Sequence, residues 1–328
     1  MTGEGINAHR YIKMDKAIYI LANDKVLEFT KVLFRSLRHF NREIPALIIP
    51  FDDNVGALRK EAMRFKINFF EDGHPEELDS LALNYFDEKR EGGHMFRKFA
   101  AFWGPCETFF YIDSDCVFLD DPEKLFTEFK KADCDFMSFD NDETRAYLPG
   151  AFRERMQKNY GTKSFNAGAF ISRRGLFNIA KLKLIAQEAQ AIKDQFAPRL
   201  GDQPFFNFAV DSSRLRQKRL PEINKNYPDK EWADQVPIRF KDGAYRLLNK
   251  NSPDYYKPLP FIHYAGYCCD AGKKIPNRHI FRHFQLSGCS FGEKIAYAIS
   301  CSYKLISASK AGTLSGRVVR KIKRLLGI

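Results

Sequence analysis

The sequence predicts an α/β fold with a mixed, mainly parallel sheet and helices on both of its faces. Short apolar runs at 17–22, 44–49 and 67–70 are typical of buried strands. Amphipathic patterns at 26–37 and 55–65 lie between these runs and predict helices. Strand and helix therefore alternate at the spacing of βαβ units, which indicates a parallel sheet.

Further elements extend this pattern toward the middle of the chain. A helix is expected at 95–103, before an apolar strand that begins near Thr108. After that strand, Asp121 is expected to cap a helix with Pro122 at its first position. We expect a further strand at 134–139 and a helix at 176–196.

The length and the charge distribution bound the domain organisation. The chain has 328 residues, enough for one large α/β domain with additions or for two small ones. The net charge is +12, and the segment 271–328 carries twelve Lys and Arg residues against one acid, Glu293. This shift predicts a boundary between a main domain at 16–270 and a basic helical extension at 271–328. Residues 1–15 are expected to form an N-terminal extension.

Composition argues against several classes of protein. No run of about 18 apolar residues is present, and the first residues lack the apolar core of a signal peptide, so we expect a cytoplasmic protein. The seven cysteines are an odd number without a CxxC pair, which argues for reduced thiols rather than disulfides or a zinc site. No usual nucleic-acid-binding signature occurs, so no nucleic-acid partner is expected.

Two carboxylates follow the apolar strand that begins near Thr108. Asp113 and Asp115 are one residue apart, and alternate side chains of a strand project on the same face. Paired carboxylates are hard oxygen ligands that suit Mg²⁺ or Mn²⁺, ions that commonly hold a substrate phosphate as well. The alternative interpretation is a solvated acidic turn after a strand.

Polar residues also follow two other predicted strands. Asn23 and Asp24 come directly after Ala22, and Asp52 and Asp53 follow the second strand. In open α/β sheets, ligands bind beyond the carboxyl ends of the strands. The sequence therefore predicts a ligand site at this edge of the sheet.

Four segments in order resemble the GT-A glycosyltransferases, in particular family 8, which includes glycogenin and bacterial galactosyl- and glucosyltransferases. The segments are the Asp-x-Asp element at 113–115, Phe-Asn-Ala-Gly at 165–168, Gly-Asp-Gln-Pro-Phe-Phe-Asn at 201–207 and Phe-Ile-His-Tyr-Ala-Gly at 261–266. Their order and spacing agree with the family over residues 17–267. The resemblance implies a GT-A fold and transfer of a hexose from UDP-glucose or UDP-galactose, with retention, to a glycan, a lipid or another hydroxyl acceptor.

The resemblance also implies roles for individual residues. It implies Mn²⁺ as the cofactor, with Mg²⁺ as the alternative, held by Asp113, Asp115 and His263. It places Asn166, Asp202 and Gln203 at the sugar, with Asp140 as a weaker candidate. The donor-binding candidates are Ala22, Asn23, Asp24, Lys98, Ser114 and Gly266. Structural alternatives stay open: Asn166 and Gly168 can form a turn, and Asp202 can cap a helix that starts at Gln203.

The chain departs from the family pattern in two places. Its Gly266 is not followed by the usual Lys-Pro-Trp, so Lys273 or Lys274 is the candidate for the phosphate contact. Pro204 stands where many members carry a second Asp. We expect the acceptor pocket in the loops 142–160 and 227–260.

The last residues form a basic amphipathic pattern at 312–328. Five apolar residues recur at helical spacing between basic ones: Leu314, Val318, Ile322, Leu325 and Leu326. Such a helix can lie on an anionic membrane surface, which would suit a lipid-linked acceptor and a peripheral position on the inner face of the membrane. The alternatives are that it packs on the main domain or frays in solution.

Two other functions compete with a glycosyltransferase. Asp113-Ser-Asp-Cys-Val117 also resembles the motif of haloacid-dehalogenase phosphatases, although those enzymes place it on their first strand. A non-enzymatic alternative is a basic membrane- or nucleic-acid-binding protein with a degenerate site.

Overall fold

The computed structural model describes residues 14–85, 93–140, 146–161, 164–198, 201–229, 237–267, 275–289 and 292. The chain divides into two compact units, 1–281 and 282–328. The expected phosphate contact at Lys273 or Lys274 and the basic segment 312–328 lie outside the described residues. The domain boundary expected at 270 remains a prediction.

A seven-stranded sheet forms the centre of the first unit, with strand order β3-β2-β1-β4-β7-β6-β8. These strands are Met14–Ala22 (β1), Ala46–Pro50 (β2), Asn68–Phe69 (β3), Cys106–Asp113 (β4), Phe136–Ser138 (β6), Ala169–Arg173 (β7) and Gln217–Arg219 (β8). β1, β2, β3 and β4 pair in parallel, as β6 does with β8, whereas β7 runs antiparallel to both of its neighbours. The predicted mixed, mainly parallel sheet is thus confirmed.

Helices cover both faces of this sheet. The helices of the first unit are Leu27–Phe40 (α1), Gly56–Arg64 (α2), Pro75–Tyr85 (α3), Glu123–Ala132 (α4), Ala151–Tyr160 (α5), Ile179–Ala191 (α6), Gln203–Ser212 (α7) and Leu220–Ile223 (α8). A further helix, Arg278–Leu286 (α9), spans the boundary between the two units. β1 shows the two faces directly: Tyr19 packs into one apolar core, and its neighbours Ile18 and Ile20 pack into the other. A strand buried on both faces explains why its sequence is continuously apolar.

The helix expected at 95–103 is a 3₁₀ helix, Gly93–Trp103. Side chains three residues apart eclipse in a 3₁₀ helix. Phe96, Phe99 and Phe102 therefore form one row, with ring centroids 5.9 Å and 6.1 Å apart along it. This row packs in the same apolar core as Tyr19, on one face of the sheet.

Two predicted helix boundaries differ from the structure. α4 begins at Glu123, one residue later than expected, because the Asp121 carboxylate accepts a bond from the Glu123 backbone N–H and leaves Pro122 at the cap position. The helix expected at 176–196 is shorter, because the Asn178 side chain caps α6 by accepting from the backbone N–H of Lys181 at 2.8 Å. A short 3₁₀ helix, Lys193–Gln195, follows it.

Two small antiparallel sheets complete the first unit. Cys116–Phe118 (β5) pairs with Phe261–His263 (β11). Ile238–Lys241 (β9) and Ala244–Leu247 (β10) form a hairpin. Among the described residues, no helix combines the length and apolar character needed to cross a membrane.

Candidate active site

The carboxyl ends of three parallel strands lie side by side at one edge of the main sheet. Leu21 of β1 pairs with Asp113 of β4, and Ala22 pairs with Pro50 of β2. The expected ligand edge is therefore formed by the residues that follow β1, β2 and β4.

Asn23 and Asp24 both make specific hydrogen bonds at this edge. The Asn23 amide donates to the Asp52 carboxylate at 2.7 Å, which joins the loops after β1 and β2. Both Asp24 oxygens accept from the first turn of α2, from the backbone N–H of Ala57 at 2.9 Å and of Leu58 at 2.7 Å. Asp24 thus caps this helix, and the donor-binding role of both residues remains a prediction.

The paired carboxylates come from a strand end and the turn that follows it. β4 ends at Asp113, and Asp115 lies in the turn before β5, so strand alternation does not explain how the two meet. The prediction that both side chains project from one face of a strand is wrong, because the chain leaves the strand and turns after Asp113. Asp115 is 7% exposed and Ser114 is 8% exposed, so the turn is buried rather than a solvated acidic loop.

His263 reaches the carboxylates through strand pairing. It lies opposite Cys116 in the β5–β11 ladder, one residue beyond Asp115. Its Nε2 atom lies 3.2 Å from Oδ1 of Asp115 and 3.8 Å from Oδ2 of Asp113. The three predicted metal-ligand residues therefore meet at one point.

Backbone and hydroxyl donors fix both carboxylates. The Gly266 N–H donates to Oδ2 of Asp115 at 3.2 Å, at a glycine whose φ of +76° favours a residue without a side chain. The Tyr111 hydroxyl donates to Oδ1 of Asp113 at 2.7 Å. Among the predicted residues, Gly266 thus contacts the site directly, and Tyr111 is a participant that sequence reasoning missed.

The Phe-Asn-Ala-Gly segment forms a turn against His263. The Asn166 side-chain oxygen accepts from the Gly168 N–H at 2.8 Å, and its amide nitrogen lies 3.2 Å from Nδ1 of His263. A Cβ atom on residue 168 would lie 2.5 Å from Cε1 of His263 and 2.6 Å from Oδ2 of Asp113. Asn166 thus forms the turn and also contacts His263. Residue 168 must be glycine because His263 and Asp113 lie too close to leave room for a side chain.

Lys98 and Asp202 form a buried ion pair next to this turn. Nζ of Lys98 lies 2.7 Å from Oδ2 of Asp202, and it donates to the Ala167 carbonyl at 3.2 Å. Asp202 occupies the cap position of α7, but its carboxylate makes no hydrogen bond to the first turn of that helix. The helix-cap alternative therefore explains where Asp202 lies but not the role of its carboxylate. Both side chains lie inside the protein, which distinguishes Lys98 from a solvated helix charge.

Gln203 and Asn207 hold the same turn from the first residues of α7. The Gln203 amide accepts from the Ala167 N–H at 2.8 Å and donates to the Phe165 carbonyl. The Asn207 amide bonds to both the N–H and the carbonyl of Phe165, each at 3.0 Å. Asp140 accepts from the Asn166 N–H at 2.7 Å, so all four predicted sugar-side residues belong to one network.

Opposite charges shift the pKa values in this cluster. Burial raises the pKa of Asp113, and the opposing effects of Lys98 and His263 do not cancel this rise. Burial alone would lower the pKa of His263, but Asp115 and Asp113 raise it above its ordinary value. Burial would likewise lower the pKa of Lys98, but Asp202 and Asp113 raise it. Carboxylates forced together away from water thus favour a cation beside them.

The donor set fits a divalent cation that prefers oxygen and nitrogen ligands. Two carboxylates and one imidazole face one another, and the glycine at 168 keeps the space beside them free of a side chain. The thiol of Cys116 also lies close, since one ligand atom each from Asp115, Cys116 and His263 falls within a mutual 4.8 Å. Sequence reasoning missed Cys116 because its partner in the ladder is remote in sequence.

Comparison with solved structures gives the fold a clear class. The structure of the galactosyltransferase LgtC in complex with donor and acceptor sugar analogs matches with a TM-score of 0.50 and 16% identity, over 85% of this chain and 99% of that one. An active-site mutant of LgtC matches with a TM-score of 0.55 and 14% identity over the same shares. The chain has the GT-A glycosyltransferase fold. The predicted fold class is therefore confirmed.

A second GT-A match is to part of a larger protein. The bifunctional glycosyltransferase WbbM in its apo form matches with a TM-score of 0.50 and 15% identity, over 87% of this chain and 52% of that one. No protein-family model and no curated protein matches the sequence. Because these identities are low, the likeness establishes the GT-A fold, and the activity is argued separately from the site.

The GT-A fold also bears on the phosphatase alternative. A haloacid-dehalogenase phosphatase carries its Asp-x-Asp motif on the first strand, whereas Asp113 ends the fourth strand along this chain. His263 and the turn at Asn166 would have no role in that chemistry. The arrangement therefore disfavours a phosphatase.

Proposed function

We propose that this chain is a metal-dependent glycosyltransferase that moves a hexose from UDP-glucose or UDP-galactose to a hydroxyl acceptor. The observation that carries the proposal is the meeting of Asp113, Asp115 and His263 at the carboxyl edge of a GT-A sheet. Two carboxylates and an imidazole at this edge would form a cation site at the position where α/β sheets bind their ligands.

The proposed cofactor is Mn²⁺, with Mg²⁺ as the alternative. Asp113, Asp115 and His263 would hold it, and the imidazole nitrogen favours Mn²⁺ because Mg²⁺ prefers an all-oxygen shell. Once bound, the ion would neutralise charge on the leaving nucleoside diphosphate. The ammonium group of Lys98 lies in the same buried cluster, where the Asp202 carboxylate at 2.7 Å balances its charge.

Of the predicted sugar-side residues around the turn at 165–168, Asp202 would act on the sugar directly. The carboxylate of Asp202 is fixed by Lys98 and can stabilise positive charge on the reacting carbon. Gln203 and Asn166 are engaged with backbone groups, so their part is to hold the turn and the His263 ring in place. Retention follows the family resemblance: the acceptor hydroxyl would attack on the face of departure and pass its proton to the leaving phosphate.

Membership of family 8, the acceptor class and the location of the protein also belong to this proposal. The four motifs support family 8, and a glycan or lipid-linked acceptor accords with the basic segment at 312–328. Cytoplasmic location with peripheral membrane contact accords with the same segment. Deletion of 312–328 with unchanged liposome partitioning would contradict the membrane role of that segment.

The first test is nucleotide binding by calorimetry. Purified protein is titrated with UDP, GDP and ADP, with Mn²⁺ and with chelator. We expect UDP to bind only with Mn²⁺, and Asp115→Asn to weaken that binding at least about 100-fold, because the amide lacks the negative charge and the second oxygen of the buried carboxylate. The exposed Asp194→Asn is the matched control and should bind as the wild type does.

Two results would overturn the proposal. Absence of nucleotide binding under every metal condition would mean that the site is degenerate or serves another phosphate. Retained cellular function after substitution of both Asp113 and Asp115 would favour the non-enzymatic alternative. With UDP binding established, a screen of UDP-sugars and acceptors identifies the substrates.

A further inference from the structure

The thiol of Cys116 lies beside two of the three predicted metal ligands. Cys116 begins β5 directly after Asp115, and it lies opposite His263 in the ladder between β5 and β11. One ligand atom from each of these three residues lies within 4.8 Å of the other two. This set shares a carboxylate and an imidazole with the predicted Mn²⁺ ligands, but a sulfur takes the place of the carboxylate of Asp113.

The register of the ladder brings the thiol and the imidazole together. The Tyr264 N–H donates to the Asp115 carbonyl at 3.0 Å, so the next pair along the ladder, Cys116 and His263, is a pair without hydrogen bonds. Side chains of such a pair lie on the same face and approach each other more closely than those of a hydrogen-bonded pair. Lack of a CxxC pair therefore does not exclude a zinc site here, because strand pairing supplies the neighbouring ligand.

The distances between these donors suit a tetrahedral cation. Zinc binds nitrogen and carboxylate oxygen at about 2.0–2.2 Å, so two such ligands lie about 3.3 Å apart in a tetrahedral site. Nε2 of His263 and Oδ1 of Asp115 are already 3.2 Å apart. A zinc-bound sulfur, at about 2.3 Å from the metal, lies about 3.6 Å from the other donors. Because the ligand atom of Cys116 lies within 4.8 Å of both, it needs to move by about 1.2 Å or less.

The chemical type of the donors decides which cation this set takes. Mg²⁺ and Mn²⁺ suit oxygen ligands, whereas a thiolate selects softer cations such as Zn²⁺. Cys116 is fully buried, and Asp115 and His263 are also buried, so the donors are shielded from water. Three protein ligands leave one position of a tetrahedral cation for water or for a phosphate oxygen.

We propose that Asp115, Cys116 and His263 bind a thiophilic divalent cation of the Zn²⁺ class, in competition with Mn²⁺. The thiol loses its proton to solvent when the cation binds. Because Asp115 and His263 belong to both donor sets, the site takes one of the two cations at a time. The thiophilic cation therefore inhibits Mn²⁺-dependent binding of UDP; this consequence rests on the proposed function, whereas the cation site does not.

The first test uses Co²⁺ as a spectroscopic substitute for Zn²⁺. The full chain is kept reduced and titrated with Co²⁺. We expect a sulfur-to-cobalt charge-transfer band in the near ultraviolet, which oxygen and nitrogen ligands alone do not produce, and excess Zn²⁺ should abolish it. Absence of this band from the wild type would overturn the proposal without any variant.

Three variants assign the sulfur. Cys116→Ser removes the sulfur with little change in volume and should abolish the band, whereas Cys134→Ser, at a thiol that is also fully buried, is the matched control and should keep it. The double variant Cys268→Ser/Cys269→Ser should also keep the band; these thiols follow Gly266 in sequence and lie outside the described residues. A band that survives in Cys116→Ser, or that is lost in the double variant, would contradict the assignment.

Competition between cations gives a second readout. Zn²⁺ should release Mn²⁺ from the wild type, measured as the signal of free Mn²⁺ in electron paramagnetic resonance. Cys116→Ser should need at least about 100-fold more Zn²⁺ for the same release, because loss of a thiolate weakens binding of Zn²⁺ more than binding of Mn²⁺. Release at the same Zn²⁺ concentration in both proteins would refute the role of Cys116.

The two proposals fail separately. A sulfur-to-cobalt band in a protein that binds no nucleotide would refute the glycosyltransferase and leave the thiophilic site standing. Mn²⁺-dependent UDP binding without such a band would refute the thiophilic site and leave the proposed function standing.

Discussion

The amide nitrogen of Asn166 lies 3.2 Å from Nδ1 of His263, although 97 residues separate the two along the chain. The contact fixes the plane of the imidazole, and the ring's other nitrogen then faces Asp115 at 3.2 Å. A ligand whose second nitrogen is held in this way needs little reorganisation when it binds a metal. The contact therefore links the Phe-Asn-Ala-Gly motif to the metal site.

Loss of the Asn166 side chain should weaken metal binding. We expect Asn166→Ala to raise the Kd for Mn²⁺ about 10- to 100-fold, because the His263 ring is no longer held. Asn166→Asp keeps an acceptor for the Gly168 N–H and should have a smaller effect. The signal of free Mn²⁺ in electron paramagnetic resonance measures both. The exposed Asn84→Ala is the control, and equal Mn²⁺ affinity of the two Ala variants would contradict the role of Asn166.

A single methyl group at residue 168 should close the site. Its Cβ would lie 2.5 Å from His263 and 2.6 Å from Asp113, distances at which atoms must move apart. We expect Gly168→Ala to abolish Mn²⁺-dependent UDP binding in calorimetry. Gly56→Ala is the control, because the nearest atom to its Cβ, on Asp24, is 4.0 Å away. Binding by Gly168→Ala at the wild-type level would show that the ligands lie elsewhere.

Most of the stability that is lost when Lys98 or Asp202 is substituted should come from loss of the ion pair between them. We expect Lys98→Met alone to lower the free energy of unfolding by about 3–5 kcal/mol, because it leaves a buried carboxylate without its cation. The double variant Lys98→Met/Asp202→Asn should cost at least about 1 kcal/mol less than the sum of the single ones. Urea unfolding of all four proteins gives this coupling.

The exposed pair between Lys124 and Asp120 is the matched comparison for that cycle. Its atoms approach to 2.8 Å, but the two side chains are 58% and 29% exposed. The coupling energy in the same double-mutant cycle should be about 0.5 kcal/mol or less, since solvent screens the charges. Equal coupling in the two cycles would refute the special strength of the buried pair.

Stability should fall at alkaline pH because of a buried thiol. Burial raises the pKa of Cys134 from 9.0 to about 11, so the folded protein favours the neutral thiol. The stability from this preference is complete below pH 9 and is lost as the pH rises through 11. Between pH 8 and pH 10.5, the free energy of unfolding should fall by about 2 kcal/mol more in the wild type than in Cys134→Ala.

A second thiol repeats this test. Burial likewise raises the pKa of Cys106 to about 11, so Cys106→Ala should flatten the same pH profile by a similar amount. Denaturant unfolding at each pH provides the measurement. Parallel profiles for the wild type and both variants would show that these thiols ionise equally in the folded and unfolded chains.

Much of the fold was predictable because it depends on local patterns. The alternation of apolar runs and amphipathic helices between 17 and 70 predicts β1, α1, β2, α2 and β3, since each pattern has the period of its own element. The row of phenylalanines at 96, 99 and 102 has a three-residue period, yet the 3₁₀ geometry that uses it was not predicted. Its helix type depends on packing in the core.

The site was predictable as a set of residues but not as an arrangement. The four motifs named Asp113, Asp115 and His263, and the structure brings them together. The sequence placed the two carboxylates on one strand face, whereas Asp115 lies in a turn. It gave no sign that His263 pairs opposite Cys116, because pairing between strands so far apart follows from the tertiary fold.

The sequence alone thus determined the class of fold, the order of its early elements and the chemical types at the site, because these depend on periodicity and side-chain chemistry. The tertiary structure alone decided which groups meet: the imidazole of His263 at the carboxylates, and the ammonium group of Lys98 at Asp202. Distances between remote segments are set by sheet register and core packing, which no local pattern encodes.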